Sequence, residues 1–158
     1  MPITLYLGRI LSSAVAEADT VVVSDDGTIA YVGPLENAPR VEGPRLDMRG
    51  RIVAPGFIDI HTHGGHGVTF GTVDTLADDL HHYSSWVAST GVTGFLCTVA
   101  APDADSLRGL VSAYVALFEG ETFEGAQPLG LHLEGPFLNE EKKGAFNPKW
   151  LRKPAIEE

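Results

Sequence analysis

The stretch RIVAPGFIDIHTHGGHG (residues 51–67) decides how the rest of the chain is read. An apolar run leads into three histidines, His61, His63 and His66, set among glycines. The run reads as a buried strand with a polar C-terminal tip. Side chains at i and i+2 of a strand point to the same face, so His61 and His63 converge on one point. Two convergent neutral imidazoles are good ligands for Zn²⁺ or Fe²⁺. The simpler alternative is a pair of hydrogen-bonded histidines at a strand end. His66, in GGHG, is either a supporting residue near the site or a solvated loop histidine. That glycine cluster lacks the Lys-Ser/Thr ending of a phosphate loop.

Downstream, the pattern alternates. TVDTLADDLHHYSSWVASTG (72–91) carries Leu76, Leu80, Tyr83 and Val87 at helical spacing, with Gly91 as a stop. VTGFLCTVAA (92–101) reads as a second buried strand, with Cys97 in its core. DADSLRGLVSAYVALFEG (103–120) is a second amphipathic helix, apolar at Leu107, Leu110, Val111, Tyr114 and Phe118. PLGLHLEGPFL (128–138) is a third strand. Strand, helix, strand, helix, strand builds a parallel sheet with helices outside. Sites in such α/β barrels lie at the C-terminal strand ends, where His61 and His63 fall. Glu134 takes the equivalent place on the third strand and shares a face with His132. A carboxylate there is costly to bury unless paired or metal-bound, so Glu134 joins His61 and His63 as a candidate metal ligand. His132 is open to two readings, a supporting residue of the site or a satisfied core histidine. His81 and His82 read as surface residues of the first helix. NEEKKGAFNPKW (139–150) reads as an exposed loop over the strand ends, in which Lys142 and Lys143 are solvated or attract an anion.

Upstream, residues 1–50 read as a small β-rich, β-sandwich-like unit. TLYLGRIL (4–11) is one strand, and Val21–Val23 and Ile29–Val32 flank a hairpin turn at Asp26-Gly27. PLENAPRVEGPRLDMRG (34–50), with three prolines, suits a loop or linker. Two units follow: 1–50, and 51–158 as the first three strands of a TIM-type (β/α) barrel.

Composition narrows the function classes. Hydrophobic residues make up 44% and charged residues 20%, as in a folded globular protein. A net charge of −10 repels phosphate backbones and excludes nucleic acid as a partner class. A lone cysteine forms no internal disulfide, which points to a reducing, cytoplasmic setting. The first eighteen residues lack a basic leading region and Arg9 interrupts their apolar stretch, unlike a signal peptide. No apolar run reaches the length of a membrane span.

PGFIDIHTHG (55–64) after a β-rich unit resembles the amidohydrolase superfamily. GLHLEGPFLN (130–139) followed by KKGAFNPKWL (142–151) is similar to one family within it, the N-acetylglucosamine-6-phosphate deacetylases. The resemblance implies hydrolysis of the acetamide of N-acetylglucosamine 6-phosphate to glucosamine 6-phosphate and acetate, with one or two divalent ions, Zn or Fe. By position, His61 and His63 match the histidine pair of members with a second metal, and Glu134 matches the carboxylate on the principal metal. Ala145 and Phe146 fall where the loop touches the sugar, and Phe146 stands where many members have histidine. In the family the metal activates water and polarises the amide carbonyl, while an aspartate shuttles the proton.

That aspartate and further metal histidines are expected downstream of this chain, so none of its own residues is assigned as catalytic. A full barrel takes about 250 residues, and three strands are here, so the chain reads as the N-terminal part of an enzyme and as inactive alone. The resemblance also implies a homodimer for the complete enzyme. Two alternatives remain: another amidohydrolase, such as a deaminase or cyclic amidase, and a truncated, non-catalytic chain.

Overall fold

The computed structural model describes residues 4–155, and the outermost residues of both expected units lie outside that range. Two compact units divide at Pro55/Gly56. The first is a four-stranded sheet built from β1 (Thr4–Ile10), β2 (Thr20–Val23), β3 (Ile29–Gly33) and β4 (Arg45–Val53), in the order β3-β2-β1-β4. β1–β2 and β2–β3 are antiparallel, and β1–β4 is parallel.

The expected hairpin joins β2 and β3. Gly27 takes φ +84° in its turn, a conformation open to glycine at no steric cost. The Asp26 carboxylate accepts from the Thr28 amide (3.0 Å) and the Thr28 hydroxyl (2.7 Å), and also from Ser24. These donors favour the charged form and lower the Asp26 pKa to about 2.

Three expectations for this region need correction. Residues 45–50 are not loop but the start of β4, because all three prolines of the segment precede Arg45 and leave its amides free to pair. RIVAPGFIDIHTHG is not one strand: Pro55 has no N–H to donate, so β4 ends at Val53 and a new strand begins at Phe57. The strand therefore carries the first unit past residue 50. Of the expected sandwich-like unit the described residues form one sheet, with Ile29, Leu46 and Ile52 exposed on it.

The second unit is a three-stranded parallel sheet in the order β5-β8-β9, as the alternation of elements requires. Its strands are β5 (Phe57–Thr62), β8 (Val92–Val99) and β9 (Gln127–Leu133). A two-residue ribbon, β6 (Gly64–Gly65) with β7 (Val68–Thr69), follows β5. Helices α1 (Leu76–Ala88) and α2 (Ala104–Gly120) make the crossovers. Gly91, at φ +90°, turns the chain from α1 towards β8.

The core lies between helices and sheet. Leu76, Leu80, Tyr83 and Val87 of α1, and Leu110 and Tyr114 of α2, pack with Phe95, Cys97 and Val99 of β8. Fully burying each large apolar side chain contributes about 1.5–3 kcal/mol. The strand expected to be buried throughout, β5, is exposed at Phe57, Ile58 and Ile60. It is an edge strand, paired only with β8 among the described residues. No helix of the described residues is long and apolar enough to cross a membrane.

Two expected results follow from this packing. A Cβ at Gly109, inside α2, would meet nothing within 4 Å. Gly109→Ala should therefore raise the unfolding free energy by about 0.5–1 kcal/mol, and an unchanged or lower urea midpoint would contradict this. Cys97 is fully buried, and burial pushes its thiol up to about 12. An aromatic disulfide reagent at pH 8 should leave the native thiol unmodified and titrate it fully in denaturant. Rapid native labelling would contradict the packing around β8.

Candidate metal centre

β5 sets its two histidines by what it does with the residue between them. Thr62 is held on the helix side of the sheet. It stands beside Cys97 in the β5–β8 ladder, and its hydroxyl lies 3.0 Å from that of buried Tyr83. With Thr62 anchored there, His61 and His63 take the opposite face. Their ring centroids are 5.4 Å apart, and the His61 amide donates to the Asp59 carboxylate (3.1 Å). Glu134 leaves the end of β9 with its amide donated to the Val99 carbonyl (3.0 Å).

The two strand ends bring His61, His63 and Glu134 together. One ligand atom from each lies within 4.8 Å of the others, and His63 Nε2 is 3.0 Å from Glu134 Oε2. Bonds of about 2.0–2.2 Å place the ligands of one zinc ion up to about 4 Å apart. Small side-chain adjustments therefore close this set around an ion. Two imidazoles and a carboxylate form the donor set of a zinc or iron site with coordination positions left open. Without an ion, His63 Nε2 and Glu134 Oε2 stand at hydrogen-bonding distance from one another.

The remaining histidines separate clearly. His66, at φ +52°, stacks on Trp86 (5.1 Å) and His82 (5.4 Å), away from the cluster. His81 is a surface residue of α1, 3.5 Å from Glu121 and stacked on Phe123. His132 is half-buried and packs edge-on against His61, with centroids 4.6 Å apart.

A cleft of about 320 Å³ opens beside the cluster. His63 and Glu134 form one side, and Ala145, Phe146, Asn147 and Trp150 form the other. The loop expected over the strand ends is thus beside the ligands. Phe146 is only 6% exposed; its ring packs on the Gly135 backbone and edge-on to Trp150 (6.0 Å). A Cβ at Gly135 would lie 2.6 Å from that ring, so glycine is required for the approach. Gly135–Pro136 is a cis peptide. Lys143 is not a free cation for an anion: its ammonium donates to the carbonyls of Gly144 (3.2 Å) and Phe146 (3.0 Å). Sequence reasoning missed Trp150, Asn147 and Thr98. The third strand, expected to run to Leu138, ends at Leu133, before the Gly-Pro step on which Phe146 packs.

No family model matches the sequence. A Vibrio furnissii N-acetylglucosamine-6-phosphate deacetylase is 33% identical over 95% of the chain and 37% of its own length. The human N-acetylglucosamine-6-phosphate deacetylase is 38% identical over 72% of the chain and 27% of its own length. The solved structure of the Pasteurella multocida enzyme of the same name superposes with TM-score 0.77 at 25% identity. That match covers 98% of this chain and 40% of the other. The chain spans about a third of the length of the curated relatives it matches. In sequence and in fold, the chain matches the N-terminal part of N-acetylglucosamine-6-phosphate deacetylases.

Proposed function

We propose that His61, His63 and Glu134 hold one divalent ion, zinc or iron, in a deacetylase that removes acetate from N-acetylglucosamine 6-phosphate. The observation that carries this reading is the convergence of two imidazoles and a carboxylate from separate strand ends, in a chain whose relatives carry that activity in their names. Bound there, the ion supplies Lewis-acid polarisation of the amide carbonyl and activation of water near neutral pH. The protein's own part is to hold the three ligands at one end of a parallel sheet, the place where barrel enzymes keep their sites.

The cleft beside Glu134 is the sugar's place in this reading. Ala145 leaves room along its wall, and Phe146 supplies a rigid apolar side rather than a free ring. β5, β8 and β9 are the first three strands of a (β/α) barrel, and the ions number one or two once the barrel's other strands contribute. The complete enzyme acts as a cytoplasmic homodimer. The three ligands alone offer no proton donor to the leaving amine, a role that takes a positioned acid. The 158-residue chain by itself is therefore expected to turn over negligibly.

The test is a chimera in which this chain replaces the matched N-terminal part of the Vibrio furnissii relative. The expected result is acetate release from N-acetylglucosamine 6-phosphate that stops on chelation and returns with zinc. A folded, metal-loaded chimera that leaves this substrate intact but opens a cyclic amide would favour another amidohydrolase activity.

A further inference from the structure

We propose that His132 is a positioning residue for His61, held in place by the Thr98 hydroxyl. This rests on the reading of His61 as a metal ligand and adds how its imidazole is aimed.

Register creates the arrangement. β8 and β9 shift by one residue after Phe95↔Pro128, so that Leu96 stands opposite Gly130 and Thr98 opposite His132. Directly paired residues share a face, and their side chains touch. The Thr98 hydroxyl lies 3.2 Å from His132 Nδ1. Thr98 is 1% exposed, in the central strand of the sheet, so its hydroxyl is a fixed point. One ring nitrogen of His132 is thereby tethered. The ring then meets His61 in a T-shaped contact at 4.6 Å and 63°.

His61 needs such a neighbour. It is exposed, and its backbone bond to Asp59 fixes the chain but not the ring. An imidazole free to turn about its side-chain torsions presents a ligand nitrogen to the ion only part of the time. The His132 edge removes part of that freedom and leaves His61 facing His63 and Glu134. Supporting partners that orient metal histidines are worth about 10–100-fold in metal affinity. The same chain of contacts explains a buried threonine hydroxyl in a strand otherwise filled by Phe95, Cys97 and Val99.

The experiment is titration of the 158-residue chain with Co²⁺, read by its visible absorption, in wild type, Thr98→Val, Thr98→Ser and His132→Phe. Valine keeps the shape of threonine without the hydroxyl; serine keeps the hydroxyl; phenylalanine keeps an aromatic ring but loses both imidazole nitrogens, Nδ1 among them. Thr98→Val and His132→Phe are each expected to weaken Co²⁺ binding by about 10-fold or more and to alter the ligand-field bands. Thr98→Ser should bind as wild type does. Far-UV circular dichroism identifies any variant that fails to fold, and the other loss variant then decides. Wild-type affinity and spectrum in a folded loss variant would overturn the positioning role while leaving the metal site standing. Equal losses in Thr98→Ser and Thr98→Val would also overturn it, because packing rather than the hydroxyl would then be responsible. A wild-type chain that binds no Co²⁺ would instead sink the metal reading itself, and this role with it.

Discussion

Glu134→Ala is expected to weaken zinc binding by more than about 100-fold while the chain keeps its fold. The magnitude is bounded from below: loss of a residue that only supports a ligand costs about 10–100-fold, and Glu134 is proposed as a ligand itself. Its removal leaves two imidazoles and takes the only negative charge from the set. The fold should survive because Glu134 lies just past the end of β9, with its side chain about a quarter exposed and its backbone amide bonded to Val99. Alanine keeps that amide. Loss of the His63–Glu134 contact leaves only His63 to be solvated, and its side chain is already more than half exposed, where such contacts contribute little. Competition against a chromogenic chelator measures the affinity, and circular dichroism checks the fold. Zinc affinity within a few-fold of wild type would show that Glu134 is only a partner for His63.

Phe95→Ala is expected to destabilise the second unit by about 3–5 kcal/mol, the cost of emptying an aromatic site in a packed core. Phe95 is fully buried on the central strand of the sheet. Its ring meets Tyr83 edge-on at 4.9 Å and stacks on Phe70 at 6.0 Å. Tyr83 in turn lies 3.0 Å from the Thr62 hydroxyl, and Thr62 sets the facing of His61 and His63. Domains are held by only about 5–15 kcal/mol, so the substitution should remove a large share of the cooperative transition and weaken the metal site with it. The urea midpoint and m-value measure the change. A loss below about 1 kcal/mol would mean that the helices do not depend on this cluster.

The parts legible in the sequence were those whose signal is local. The stripe Leu76, Leu80, Tyr83, Val87 repeats at helical spacing and packs as read. Asp26-Gly27 marks its turn by backbone chemistry alone. The HTH spacing puts both imidazoles on one face because a strand alternates, and Glu134 follows from the next apolar strand that ends in a polar tip.

What escaped depends on pairing. The prolines and glycines of residues 34–50 make that stretch read as linker, yet its end, residues 45–50, becomes strand by laddering with β1. The break at Pro55 hides inside a continuous apolar run. Thr98 meets His132 only because the ladder skips Leu129, a register that no local pattern encodes. Phe146 could be placed in the loop, but its packing on Gly135 arises from the folding back of that loop.

In the proposed site His61, His63 and Glu134 bind one ion together. Zinc K-edge X-ray absorption on the chain loaded with one equivalent of Zn²⁺ reads out that ligand set. The expected spectrum shows scattering from two imidazole rings, with nitrogen and oxygen donors at about 2.0–2.1 Å and no sulfur, and one imidazole fewer in His63→Ala. A first shell of oxygen alone, or an imidazole count that His63→Ala leaves unchanged, would contradict it.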